Sequence, residues 1–255
     1  MLLELAGVGK AFGGVAAVDD ASFAVAEGSI TAVIGPNGAG KTTVFNLVSG
    51  FLRPDRGTIR FAGRRIDGWR GDRVARAGLV RVFQSPRVLT RMTVVENLML
   101  AAPRQPGELF GAIWLAPRKV GACEAEIRRQ AMDLLELLRL SPLAGDDAGT
   151  LSGGQRKLLE LGRALMVEPR MILLDKPTAG VAPVLALQLL EHIRALRERR
   201  GVTVCVIEHD MDVVMSISDR VIVMDEGRVI AAGSPDAVQR DERVIEAYLG
   251  RLEQP

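Results

Sequence analysis

The residues best suited to chemistry begin at Gly35. The run GPNGAGKTT at 35–43 satisfies G-x-x-x-x-G-K-[ST] in full and contains Gly35, Asn37, Gly38, Gly40, Lys41, Thr42 and Thr43. Glycines let the backbone curl so that successive N–H groups point at an anion, and the start of a following helix adds positive potential. Lys41 is placed to reach the outer phosphates of a nucleoside triphosphate, and the Thr42 hydroxyl to ligate Mg²⁺. A glycine-rich turn with an accidental lysine is the plain alternative. It is weakened by the scarcity of lysine, which occurs only at Lys10, Lys41, Lys119, Lys157 and Lys176. ATP with Mg²⁺ is the expected ligand.

Two further segments fit the same ligand. MILLD at 171–175 is four apolar residues ending in a carboxylate. That describes a buried parallel strand presenting Asp175 at its carboxyl edge, where open α/β sheets bind ligands and where the acid can hold Mg²⁺ through water. An aspartate there is also a common turn residue, and the phosphate loop is what favours the functional reading. LSGGQ at 151–155 opens a helix with Ser152, Gly153, Gly154 and Gln155, whose N–H groups at a positive helix end suit a phosphate. A capped helix start with no ligand is the plain reading of Ser-Gly-Gly alone.

With the phosphate loop, Gln84, LSGGQ, Asp175 and His209 in that order, the chain resembles the ABC ATPase family along nearly its whole length. The resemblance implies an α/β fold: a P-loop NTPase core of ABC type, a small antiparallel β-subdomain and an inserted α-helical subdomain. It implies one nucleotide-binding domain over 1–255, with 1–85 and 169–255 forming the ATP-binding core and 86–168 the helical signature subdomain. It also implies a head-to-tail dimer, homo- or heteromeric, with ATP held between the phosphate loop of one subunit and Ser152, Gly153, Gly154 and Gln155 of the other. Gln84 matches the glutamine that senses Mg²⁺ and the attacking water, and His209 the histidine that contacts the γ-phosphate. Phe12 matches the aromatic that stacks on adenine. Without the family match, a histidine after a strand reads as a surface residue and an aromatic near a strand as core.

Within the family the sequence is most similar to ATP-binding subunits of branched-chain amino-acid importers. FNLVSGFLRP at 45–54, TVVEN at 93–97, KLLELGRAL at 157–165, AGVAP at 179–183 and the insertion at 103–122 carry this likeness. Urea, amide and lipopolysaccharide transport ATPases share much of it. The implied partners are membrane permease subunits, which would hold the chain at the inner face of the cell membrane. Soluble ABC ATPases acting on DNA or ribosomes usually carry tandem cassettes or coiled-coil insertions, and neither occurs here.

One residue departs from the pattern. The family places a glutamate after the strand-terminal aspartate to polarise the attacking water, and this chain has Lys176. An ammonium facing a triphosphate stays protonated and cannot accept a proton, although it can attract the γ-phosphate. Either another group orients the water, or Lys176 replaced a glutamate; a single base change converts the codon, whereas drift in this arginine-rich chain favours arginine. A module that dimerises with ATP and turns over little is the corresponding alternative function. Ala182 stands where many ABC proteins carry aspartate.

The surrounding elements must position these groups. Residues 2–5, 21–26 and 58–61 read as strands of a small antiparallel sheet, and 30–34 as a strand feeding the phosphate loop and a helix over 42–49. From 86 to 168 the pattern is mostly helical: TVVE at 93–96 resembles a capping box. Residues 103–122 read as a loop-rich insertion around an apolar patch at 110–115, a possible permease contact or internal packing. Over 124–140, Ile127, Ala131, Leu134, Leu135 and Leu138 share one helical face. Apolar runs at 171–174, 202–207 and 221–224 alternate with a helix over 186–199, as in a parallel sheet. A hairpin is expected at 225–227, and one last helix from Ser234-Pro235 to about 249.

At 255 residues, 48% hydrophobic and 25% charged, the chain has an ordinary globular composition. Its net charge of +2 gives no reason to expect nucleic acid. No apolar run reaches the roughly 18 residues of a membrane span, and the start lacks a signal-peptide pattern, so a cytoplasmic location is expected. Cys123 and Cys205 match no metal or redox spacing, and Cys205 reads as a buried, inert thiol.

Overall fold

Two sheets organise the first of two compact units, residues 1–84, 170–179 and 193–255. The computed structural model describes residues 1–248 and the backbone of 249, apart from 104, 106, 108–110, 112, 113 and 115. Strands β1 (Leu3–Phe12) and β2 (Val15–Val25) form a hairpin turned by Gly13 and Gly14, with φ of 52° and 88°. Positive φ at both central residues matches the right-handed twist of the strands. β4 (Arg56–Phe61) and β5 (Arg64–Arg65) complete an antiparallel sheet of order β2-β1-β4-β5. The strands stand where the sequence places them, but β1 and β2 run to 10 and 11 residues. Register shifts between Leu5 and Lys10, with Gly7 at φ 61°, break the alternation that marks a strand in sequence.

The second sheet has the order β10-β9-β3-β8-β7-β6. β3 (Ile30–Ile34), β6 (Leu79–Val82), β7 (Met171–Asp175), β8 (Thr203–Ile207) and β9 (Arg220–Asp225) are parallel, and β10 (Arg228–Gly233) pairs antiparallel at the edge. Every residue of β3, β7 and β8 is buried, which is why these strands read as continuous apolar runs. The β9–β10 turn carries Glu226 and Gly227 at φ 44° and 81°, the hairpin expected there. Helices α1 (Lys41–Val48) and α2 (Gly71–Arg76) belong to this unit.

Residues 85–169 and 180–192 form the second unit. In α3 (Val94–Ala101), Thr93 and Glu96 close the expected capping box. Helix α4 (Pro117–Leu137) buries Ile127, Ala131, Leu134 and Leu135, with Leu138 at its end also buried. It begins inside the segment read as loop. Pro117 sits in the first turn, where its missing N–H costs nothing, and Val120 at 7% exposure anchors that turn. Of the apolar patch at 110–115, only Gly111 and Trp114 are described; the remainder lies outside the described residues. Helix α5 (Gly153–Leu165) buries Leu158, Leu159, Leu161 and Leu165, each contributing about 1.5–3 kcal/mol of apolar burial.

Helices α6 (Pro183–Arg200), α7 (Met211–Ile217), α8 (Pro235–Gln239) and α9 (Glu242–Leu249) complete the order. The single last helix expected from Ser234 is two helices. The Asp241 carboxylate accepts from the Arg243 backbone N–H and pairs with its guanidinium, and this local bonding restarts the chain after Gln239. Among the described residues no helix is long and apolar enough to cross a membrane.

Candidate functional site

The loop from β3 to α1 is shaped by its glycines. Gly35, Gly38 and Gly40 have φ of 144°, 83° and 92°. A Cβ at Gly35 would lie 1.9 Å from the Met224 carbonyl oxygen, and one at Gly40 2.3 Å from that of Ala17. The loop is therefore pressed between β2 and the β9–β10 hairpin, a fit only glycine permits. Lys41, 5% exposed, folds back so that its ammonium donates to the carbonyls of Gly35 at 2.7 Å and Pro36 at 2.8 Å. Helix α1 starts at Gly40 with no side-chain cap and no acid in its first turn. Its leading amides keep their positive potential for an anion. Asn37, Gly38 and Thr42 are exposed, and Thr43 is half-buried.

Phe12 closes β1, 47% exposed as a residue, and the Lys10 ammonium lies 5.5 Å from its ring centroid. It is no core residue. Phe12 pairs with Val15 across the hairpin, two residues before Ala17, whose carbonyl packs at Gly40.

Asp175 stands at the carboxyl end of β7, 7% exposed. One oxygen accepts from the Arg81 guanidinium at 2.9 Å, and the other is buried without a hydrogen-bond partner. Lys176 follows in a left-handed conformation, φ 50°, with its N–H donating to the Ile207 carbonyl at 2.9 Å. That turn brings the segment 176–179 against the end of β8. There Glu208, 3% exposed, accepts from the Thr178 N–H at 3.0 Å and hydroxyl at 2.6 Å, and from the His209 N–H at 3.1 Å. The His209 imidazole is held below its ordinary pKa, first by burial and then by the positive charges of Lys176 and Lys41; Glu208 and Asp175 pull the other way. Lys41 follows the loop after β3, Asp175 and Lys176 end β7, and His209 follows β8; these are parallel neighbours, so the sheet's carboxyl edge gathers all four. Gln84 is exposed just beyond β6.

Arg81, which donates to the Asn46 side-chain oxygen as well as to Asp175, and Glu208, which holds Thr178, belong to no sequence motif. A charged residue inside an apolar strand, as at Arg81, and an acid directly after one, as at Glu208, were the signals available.

In the second unit, Ser152 caps α5: its hydroxyl accepts from the Gln155 N–H, and the Gln155 side chain accepts from the Ser152 N–H. A Cβ at Gly154 would sit 2.7 Å from the Leu185 methyl Cδ1, whereas Gly153 faces open space. Gly154 thus serves packing, and Gly153 leaves the helix start uncovered.

Glycine-lined loop, buried aspartate and carboxyl-edge histidine on a mixed sheet are the parts of one family, and comparison with known proteins agrees. The profile described as "ABC transporter" matches residues 18–179. The chain belongs to the ABC transporter family. Its particular branch is narrower: residues 228–252 match the profile "Branched-chain amino acid ATP-binding cassette transporter". The chain is 42% identical to the High-affinity branched-chain amino acid transport ATP-binding protein BraF of Pseudomonas aeruginosa, over 98% of each chain. A crystal structure of a nucleotide-free ATP-binding cassette from an ABC transporter superposes with TM-score 0.83 at 39% identity, covering 97% of this chain and 98% of that one. The ADP conformation of an ATP-binding cassette of an ABC transporter gives 0.82 at 38% identity, covering 98% of both. The fold is the ABC-type P-loop α/β fold that the sequence implies.

Proposed function

We infer that this chain is the ATP-binding subunit of an importer of branched-chain amino acids. It works as one of two ATP-binding subunits, identical or not, attached to membrane permease subunits at the inner face of the cell membrane. The end-to-end likeness to the Pseudomonas aeruginosa protein carries this reading, supported by the match at 228–252. The two compact units are the ATP-binding core and the helical signature subdomain of one nucleotide-binding domain.

The amides of Gly38, Gly40 and Lys41 hold the phosphates, and the Lys41 ammonium exchanges its two loop carbonyls for phosphate oxygens. Phe12 offers a face for the adenine, with Asn37 and Thr43 flanking the loop. Ser152, Gly153, Gly154 and Gln155 of the neighbouring subunit close on the same nucleotide, so binding dimerises the subunits and hydrolysis releases them. Mg²⁺ fits the residues present: Thr42 offers an exposed hydroxyl, Gln84 an exposed amide, and Asp175 a buried oxygen without a protein partner. When bound, the ion neutralises charge on the phosphates during transfer. His209, kept neutral, can accept or donate a hydrogen bond at the outer phosphate. Lys176 cannot serve as the base, so hydrolysis is slow while ATP binding is strong.

Proteoliposomes carrying the chain with its permease subunits and solute-binding protein test the cargo. ATP-driven uptake of leucine, isoleucine and valine, faster with Lys176→Glu, is expected. Uptake of urea or an amide in their place overturns the assignment.

A further inference from the structure

Two charged side chains are buried against each other on neighbouring strands: Arg81 of β6 at 5% exposure and Asp175 of β7 at 7%. Desolvating an ion pair offsets most of its attraction, so such a pair is a poor device for stability alone. Arg81 is also fastened on its other sides. Its Nη1 donates to the Asn46 side-chain oxygen, and its guanidinium lies 5.0 Å from the Phe83 ring centroid and 5.9 Å from that of Phe45. The pairing is incomplete: Arg81 Nε and one Asp175 oxygen are buried with no hydrogen-bond partner. The carboxylate is thus half committed to a fixed cation, and its other oxygen is left bare.

We propose that Arg81 is a positioning residue that shares Asp175 with the divalent cation. By holding one carboxylate oxygen it aims the other at the metal, and by its charge it weakens the cation's attachment. The metal then stays only while nucleotide phosphates add their own charge. This rests on the reading of Asp175 as a Mg²⁺ residue. A purely structural Arg81 would leave a disordered carboxylate when removed and loosen the metal; a charge-sharing Arg81 tightens it when neutralised.

The test is Mn²⁺ binding to the ATP complex of the full-length protein, read by electron paramagnetic resonance of free Mn²⁺. Arg81→Gln keeps an amide donor for Asp175 without the charge and lowers the Mn²⁺ dissociation constant by about tenfold or more, given the strength of charges in a partly buried site. Arg81→Lys keeps the charge but loses the fork that reaches both Asn46 and Asp175, so Mn²⁺ is not tightened. Arg81→Met, which keeps the stem against both rings but lacks the donor that aims Asp175, tightens Mn²⁺ by less than glutamine does and stands in if the glutamine variant does not fold. Asp175→Asn weakens Mn²⁺. If Asp175→Asn leaves Mn²⁺ unchanged, the reading of Asp175 fails and the inference with it. If Asp175→Asn weakens Mn²⁺ but neutral residues at 81 leave it unchanged or weaker, the inference alone fails.

Discussion

Replacing Lys176 by glutamate is the most informative perturbation of the chemistry. Lys176 occupies the turn directly after Asp175, and its charge is felt at His209 along with that of Lys41. On the proposed reading, a side chain at this position shares the phosphate neighbourhood, where a carboxylate can orient water and an ammonium cannot. A positioned base contributes typically about 10²–10⁴-fold, or about 2.7–5.4 kcal/mol of barrier at 1.36 kcal/mol per tenfold. The substitution should therefore raise the single-turnover hydrolysis rate by about two to four orders of magnitude, measured by rapid quench with enzyme in excess over labelled ATP. ATP binding should weaken at the same time, because an attracting charge becomes a repelling one. The left-handed backbone at 176 strains lysine and glutamate alike, so stability should barely change. Equal hydrolysis rates in the two proteins would refute the reasoning that Lys176 limits chemistry.

The same charges set a pH dependence. The folded-state pKa of His209 lies below its free value, so the imidazole is neutral at pH 7, and the stability linked to it is lost as pH falls through the folded value. A ¹H–¹⁵N titration should place the His209 midpoint below about 6.5 and move it upward in Lys176→Glu; no movement contradicts the assigned cause. Gly40→Ala forces a left-handed alanine with its Cβ 2.3 Å from a backbone oxygen, and should cost about 2 kcal/mol or more in urea denaturation. Glu208→Ala strips three donors from Thr178 and His209 of a buried acceptor and should destabilise by about 1–3 kcal/mol per unsatisfied group while slowing turnover; an unchanged denaturation midpoint would deny it a structural role. Cys205 is fully buried with its thiol pushed up to about 12, so maleimide at neutral pH should leave it unlabelled in the native protein.

What the sequence discloses depends on how local the cause is. The phosphate loop, the capping boxes at Thr93 and Ser152 and the Asp225–Gly227 turn are contiguous, and backbone geometry ties each to a few neighbouring residue types. The buried strands β3, β7 and β8 are equally legible because both faces are covered. β6 is not legible: its four residues include a charged one, and Arg81 is tolerated inside the sheet because Asp175, Asn46 and the Phe45 ring meet it from elsewhere in the chain. Glu208 is hidden for the same reason, since its partner Thr178 is 30 residues away. The start of α4 and the break before α9 turn on one burial, at Val120, and on the bonds of the Asp241 carboxylate to Arg243, which outweigh the glycine content and the helical periodicity respectively.

The central claim is that nucleotide lies on the loop between β3 and α1. A crystal structure grown with ATP and Mg²⁺ tests it most directly. The triphosphate should lie against the amides of Gly38, Gly40 and Lys41, with the metal beside Thr42 and Asp175 and the Ser152 helix start of a second subunit across the nucleotide. A triphosphate bound elsewhere on the chain contradicts the account.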